Sequence, residues 1–181
     1  MFPEISLNIL DVVQNSIGAR ASLVEITVSI DTKADTLTVI IGDDGCGMSE
    51  AELSRAVDPF YTTRTTRKYG FGVPFFKSAS EMTGGSFEIS SEEGEGTYIK
   101  AVFVLSHIDR MPLGDMTGTL ISLINANCRI DFSYNYSVDE KRFSLDRAIL
   151  GSVPLNIPEV TGYITRYLEE NTAEVNGGIK Y

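Results

Sequence analysis

The chain has 181 residues, enough for one well-filled core with a modest surplus, and its 25 acidic against 15 basic residues give a formal net charge of -10. That charge opposes nonspecific attraction to nucleic acid or anionic membrane surfaces, so neither is an expected partner. No stretch reaches the length of a membrane span, Met1-Phe2-Pro3-Glu4 lacks the pattern of a secretory leader, and Cys46 and Cys128 have neither metal-ligand spacing nor disulfide-scaffold density; the expectation is a cytoplasmic chain with reduced thiols.

Pro3 to about Arg20 reads as a helix with Ile9, Val13 and Ile17 on one stripe. Asn8, Asp11, Asn15 and Gly18 share a second, polar stripe. Because the flanking Leu7, Ile9, Leu10, Val12 and Val13 are apolar, the helix is expected to be buried widely and the polar stripe to line a cavity. Leu23 to Asp31 alternates as a half-buried strand, Thr32 to Asp35 turns, and Leu37, Val39 and Ile41 mark a second strand pairing with the first. This hairpin delivers Gly42-Asp43-Asp44-Gly45-Cys46-Gly47-Met48, whose acids and glycines cannot serve a core; a loop at a strand end is where a rigid scaffold presents binding groups. Ser49 and Glu52 form a capping-box pattern opening a short helix that ends before Asp58-Pro59.

Phe60 to Gly72 is rich in hydroxyls, cations and glycine without a period of two or 3.6, and reads as a mobile loop. Backbone N–H groups, a helix opening at Pro74 and local positive charge are what a polyphosphate needs, and exposed solvated arginines are the alternative. A helix from Phe75 to Met82 ends at Gly84-Gly85, and strands around Phe87 and Ile89 and from Ile99 to Leu105 follow. The order implies an α+β fold, a two-layer sandwich with helices on one face of a mostly antiparallel mixed sheet. Beyond His107 come a helix near Thr117 to Ala126, an alternating strand from Ile130 to Val138, a strand near Phe143 to Leu150 and a helix from Pro158 to about Val175. Residues 1–107 are therefore read as one domain and 108–181 as a C-terminal α/β extension packed on it.

Five motifs in this order resemble those of the GHKL ATPases, the superfamily of gyrase, heat-shock chaperone ATPases, histidine kinases and mismatch-repair proteins that shares the Bergerat ATP-binding fold. Asp11-Val12-Val13-Gln14-Asn15-Ser16 resembles the N box and Asp43-Asp44-Gly45-Cys46-Gly47-Met48 the first glycine box. Pro59-Phe60-Tyr61-Thr62-Thr63-Arg64 resembles the lid box, and Gly70-Phe71-Gly72-Val73 and Gly94-Glu95-Gly96-Thr97 the second and third glycine boxes. Each motif is weak alone; the order and spacing carry the resemblance across roughly residues 5 to 105.

The resemblance implies an ATP and Mg2+ site. Asn15 is the implied Mg2+ ligand, Asp43 the acceptor for the adenine amino group, and Asp11 the base. Gly45, Gly47, Met48 and Thr97 surround the base ring, while Gly70, Gly72 and Val73 present the phosphate turn. Phe60, Thr63, Arg64, Arg67 and Lys68 come from the lid, and Asp44 shapes the turn. Three departures bear on turnover: Asp11 stands where hydrolysing members commonly have glutamate, Gly18 where some have aspartate, and Pro74 where glycine is familiar. A base shorter by one carbon misplaces the attacking water by about 1 Å, a cost of about 100-fold in rate.

The leading expectation is a stand-alone slow ATPase or nucleotide-dependent switch. A protein kinase of the anti-sigma-factor type, with an unidentified protein as phosphoacceptor, is the alternative, and an ATP-stabilised protein-binding module the second. A homodimer is compatible with each. Ser106 to Leu113 loosely resembles the phosphoacceptor box of histidine kinases, but it follows the ATP domain and a strand and displaces the acid after His107, so an ordinary exposed histidine is the reading preferred.

Overall fold

The structure, a computed structural model, describes residues 3–58, 72–146 and 157–181. Helix α1 (Ile5–Gly18) is followed by β1 (Leu23–Asp31), β2 (Thr36–Asp43), α2 (Glu50–Ala56), α3 (Gly72–Met82), β3 (Ser86–Glu92) and β4 (Gly96–Val104). Then come α4 (Met116–Ala126), β5 (Asp131–Val138), β6 (Lys141–Leu145) and α5 (Pro158–Asn176). The strands form one six-stranded sheet in the order β3-β4-β2-β1-β5-β6. All neighbours are antiparallel except β1 and β5, which run parallel. This is the expected α+β sandwich.

Alternation decides which face is covered. Val24, Ile26, Val28 and Ile30 of β1, Leu37, Val39 and Ile41 of β2, and Phe132, Tyr134 and Tyr136 of β5 are buried in one core with Ile5, Ile9, Val12 and Val13 of α1, Phe76 of α3, Leu120 and Leu123 of α4, and Ile164 and Leu168 of α5. The intervening residues, such as Glu25, Thr27, Thr38 and Asn135, sit on the opposite face, which no helix covers among the described residues. A strand with one apolar and one polar face can settle in only one register, because slipping by one residue would turn the whole apolar set outward.

The expected strand bounds at Leu23 and Asp31 are those observed, and the Ser49–Glu52 capping box forms in both directions. Gly177 ends α5 in the left-handed conformation. The parallel partnership of β1 and β5 is a finding that alternation alone does not reveal. It places residues 131–145 inside the same sheet as residues 23–104 rather than against it. Two further contacts join the parts: the N–H groups of Ile5 and Ser6, unpartnered donors at the start of α1, reach the carbonyls of Pro112 and Leu113 at 3.0 and 2.9 Å. The Tyr136 hydroxyl donates to Asn176 Oδ1 at 2.6 Å, and burial pushes that phenol up to about 12.

Among the described residues no helix is long and apolar enough to cross a membrane. A fragment ending at residue 107 would uncover the whole β1 edge and the first turn of α1. Size-exclusion chromatography of that fragment is expected to show self-association or an expanded chain, whereas a compact monomer with the parent's Tm would show that the extension is dispensable.

Candidate functional site

Asp43 is the last residue of β2, and its backbone pairs with Val24 on one side and Thr97 on the other. Its carboxylate turns toward α1. Oδ2 accepts from the Ser16 hydroxyl at 2.6 Å, and Oδ1 accepts from the Gly45 N–H at 2.9 Å. Around it lies a slot with apolar walls from Val12, Ile41, Met48, Val73, Ile89 and Ile99, into which Asn15, Ser16, Asp43 and Thr97 bring polar groups. A carboxylate held by two donors in a slot with apolar walls is oriented before any ligand arrives.

The neighbouring acid does different work. Asp44 is exposed and accepts from the N–H groups of Ser22 and Leu23 at 2.7 and 2.8 Å and from the Ser22 hydroxyl. These bonds hold its carboxyl below the ordinary carboxylate range, the Ser22 hydroxyl foremost, and fasten the loop to the start of β1.

The glycines of the loop are required by backbone crowding. Gly47 has φ 63, and a Cβ there would sit 1.8 Å from the Glu92 carbonyl oxygen; Gly96 has φ 114, and a Cβ there would sit 1.9 Å from the Asp43 carbonyl oxygen. The two glycine turns therefore touch through their main chains. Ser91 locks the contact, its hydroxyl accepting from the Met48 N–H at 2.9 Å, reaching the Gly96 carbonyl at 2.7 Å and lying 3.0 Å from Thr97 Oγ1.

Asp11 faces the start of α3, where a Cβ on Gly72 would come within 2.7 Å of Asp11 Oδ2. Gly72 thus lets the first turn of α3, the positive end of the helix dipole, close on a carboxyl from α1. Burial raises the Asp11 carboxyl above its ordinary value.

The structure brings Asn15, Asp43, Gly47, Met48, Val73 and Thr97 to one slot, with Gly45 beneath Asp43 and Asp11 and Gly72 beside it. Phe60, Thr63, Arg64, Arg67, Lys68 and Gly70 lie outside the described residues. The polar stripe of α1 divides: Asn15 and Gly18 line the slot, but Asn8 does not. Asn8 is buried, with Nδ2 donating to the Glu4 carbonyl at 3.1 Å and lying 4.0 Å from Met111 Sδ, and its Oδ1 finds no partner among the described residues. Ser16 and Ser91 are the residues that sequence reasoning missed. Ser16 follows Asn15 directly and could have been found from its position on the helix; Ser91 is placed by strand pairing and carries no local signal.

His107 stands apart. Gly96 and Thr97 begin β4 at the slot, and the strand ends at Val104, seven residues or roughly 23 Å beyond Thr97 at about 3.3 Å per residue; His107 sits in the turn at that far end, its N–H donating to the Val104 carbonyl. Its Nδ1 accepts from the Asp109 N–H at 3.1 Å.

Residues 4–107 match the family model described as histidine kinase-, DNA gyrase B-, and HSP90-like ATPase. A putative sensor protein of Shewanella frigidimarina is 34% identical over 104 residues, covering 56% of this chain and 16% of that protein. A probable C4-dicarboxylate sensor kinase of Bacillus subtilis is 32% identical over 78 residues, 43% of this chain and 15% of the relative. The sensor protein kinase FleS of Pseudomonas aeruginosa is 33% identical over 105 residues, 58% of this chain and 25% of the relative. The aligned part of the chain thus spans a quarter or less of each of these relatives. Among solved structures, the N-terminal domain of a DNA repair protein superposes with a TM-score of 0.54 at 15% identity, covering 79% of this chain and 52% of that one, a likeness of fold.

The direction of the Asp11 shift sets a test of the site without ligand. An acid whose folded value is raised destabilises the fold above that value, and the cost disappears as pH falls below the unfolded value of 3.8. Asp11→Asn is therefore expected to melt above the parent at pH 7, with the gap closing as pH is lowered toward 3.8, measured by thermal unfolding. A gap constant with pH would remove burial of the charge as its cause.

Proposed function

Because the chain belongs to the family of histidine kinase-, DNA gyrase B- and HSP90-like ATPases, we propose that its slot binds ATP with Mg2+ and that the chain acts as a slow ATPase or nucleotide-dependent switch. The observation that carries this reading is Asp43, a carboxylate fixed by Ser16 and Gly45 inside an apolar slot. Such a slot suits a planar base with an exocyclic amino group, which would donate to Asp43 while Val12, Ile41, Met48 and Ile99 cover its faces. Thr97 adds a hydroxyl, and Gly45 and Gly47 keep the loop close.

The phosphates would lie toward Gly72 and Val73, where α3 begins, with the lid residues Phe60, Thr63, Arg64, Arg67 and Lys68 and the turn at Gly70 completing the site. Asn15 would hold Mg2+ through its side-chain oxygen. Among the described residues no three His, Cys, Asp or Glu side chains gather as a metal site, and a lone amide oxygen suits a cation that keeps water and phosphate oxygens in its other positions. Bound there, the ion would offset phosphate charge. Asp11 would orient a water and accept its proton at a carboxylate oxygen, and the partial burial that raises its carboxyl strengthens it as a base. The short side chain keeps the rate low.

Two variants test this reading. Asp43→Ala is expected to weaken binding of a fluorescent ATP analogue by about 10- to 100-fold, the worth of hydrogen bonds to a charged acceptor. Asp11→Asn is expected to retain nucleotide and to slow phosphate release by about 100-fold or more; unchanged release would sink the hydrolytic role.

The names of the relatives favour a second reading, transfer of the phosphoryl group to a partner protein, as in anti-sigma-factor kinases. The distance from the slot makes His107 of the same chain an unsuitable acceptor. Gamma-labelled ATP and Mg2+ added to the protein, alone and in extract of its own cells, separate the two: label leaves as phosphate for the ATPase and appears on another protein for the kinase. Label on His107, lost in His107→Ala, would require a second chain to bring it to the slot.

A further inference from the structure

Gly42 lies inside β2, where the ladder is continuous on both sides: it pairs with Glu25 of β1 and Tyr98 of β4, and Ile41 and Asp43 keep the same register. There is no bulge. Its φ is not positive, and a Cβ built on it meets nothing within 4 Å among the described residues. Neither backbone conformation nor crowding therefore requires glycine, although glycine weakens a strand interior. A strand glycine without these causes also suits a place that something from outside approaches closely.

That outside is the face of the sheet on which no described helix packs. A groove of about 440 Å³ lies over Gly42, with Tyr98 and Ser90 on one side, Leu23 and Glu25 on the other, and Glu92 and Glu95 toward the strand ends. Tyr98 is 40% exposed and Leu23 38%. Among the described residues no lysine or arginine lines the groove, and none pairs with Glu25, Glu92 or Glu95. Lys100, the next outward residue of β4, is 3.8 Å from Glu88 instead.

We propose that this groove docks an arginine-bearing segment of a partner protein. Adjacent strands lie about 4.8 Å apart, so Tyr98 and Glu25 stand roughly 10 Å from each other across Gly42. A guanidinium fits that interval in two ways at once: its plane stacks on the tyrosine ring, and its paired N–H groups meet the carboxylate in a fork. The absent Cβ lets the arginine stem lie on the β2 backbone, and Leu23 offers apolar contact to a neighbouring residue. The unpaired acids match a basic segment and repel a nucleic acid backbone.

The groove shares Asp43 and Thr97 with the slot on the opposite face of the sheet. Occupants of the two would press on the same β2–β4 rung, so docking and nucleotide binding would be linked reciprocally. This linkage rests on the nucleotide reading; the docking does not.

An array of hexapeptides of random composition, probed with the labelled full chain without nucleotide, tests the docking. Bound peptides are expected to be enriched in arginine, and replacing that arginine with lysine to weaken binding by about tenfold. Gly42→Val, whose Cβ has no described neighbour within 4 Å and whose methyl groups would enter the groove, and Tyr98→Ala are each expected to weaken it by about tenfold or more. Gly42→Val should melt no lower than the parent, showing that the loss is not one of folding. Peptides without arginine enrichment, or full affinity in Gly42→Val, would overturn the proposal. So would self-association that Gly42→Val abolishes in sedimentation, since the occupant would then be a second copy. A peptide affinity unaltered by ATP and Mg2+ would overturn the linkage and leave the docking in place.

Discussion

Main chain resting on main chain closes the slot end of this sheet. The Glu92 carbonyl occupies the space a side chain at Gly47 would need, and the Asp43 carbonyl does the same at Gly96. Because each contact leaves no room for a methyl group, the two glycine turns have one relative position, and everything mounted on them inherits it. Asp43 is aimed at α1, Thr97 stands beside it, and Ser91 bonds to both turns. Carbonyl and glycine cannot repack as side chains do, so the slot is held by the stiffest parts of the chain.

Two adjacent acids at the end of β2 illustrate how little residue type alone decides. Asp43 and Asp44 alternate across the strand, so one turns to the helices and the other to solvent. The inward one meets Ser16 and an apolar wall; the outward one meets the N–H groups at the start of β1. One acid is therefore placed to contact a ligand, and the other fixes the loop that carries it. The extension contributes indirectly: Pro112 and Leu113 satisfy the first donors of α1, the helix on which Asp11, Asn15 and Ser16 are mounted.

Local features of the fold were legible because local chemistry produces them. Alternation in Leu23 to Asp31, the Ser49–Glu52 box and Gly177 each depend on residues within a turn or two. The partnership of β1 with β5 was not legible, since many apolar strand faces could have met β1 and only the completed packing of α4 and α5 selects one. Asn8 failed for a related reason. It shares the stripe of Asp11 and Asn15, but the segment around Met111 covers it, and that segment lies 103 residues away in the chain. The site motifs were readable as an ordered set, whereas Ser91 has no role until the strand pairing places it next to Met48 and Gly96.

The β1–β5 pairing also bears on how the chain emerges during synthesis. Leu23 pairs with Asp131, 108 positions later. At roughly 5 to 20 residues per second, that separation corresponds to about 5 to 20 s of translation during which β1 has β2 on one side and an empty edge on the other. Contacts so distant in sequence also slow folding once the chain is complete, because the intervening loop must close before they form. β1, one of the two central strands, is thus the first strand made but is paired on both sides only once β5 has emerged.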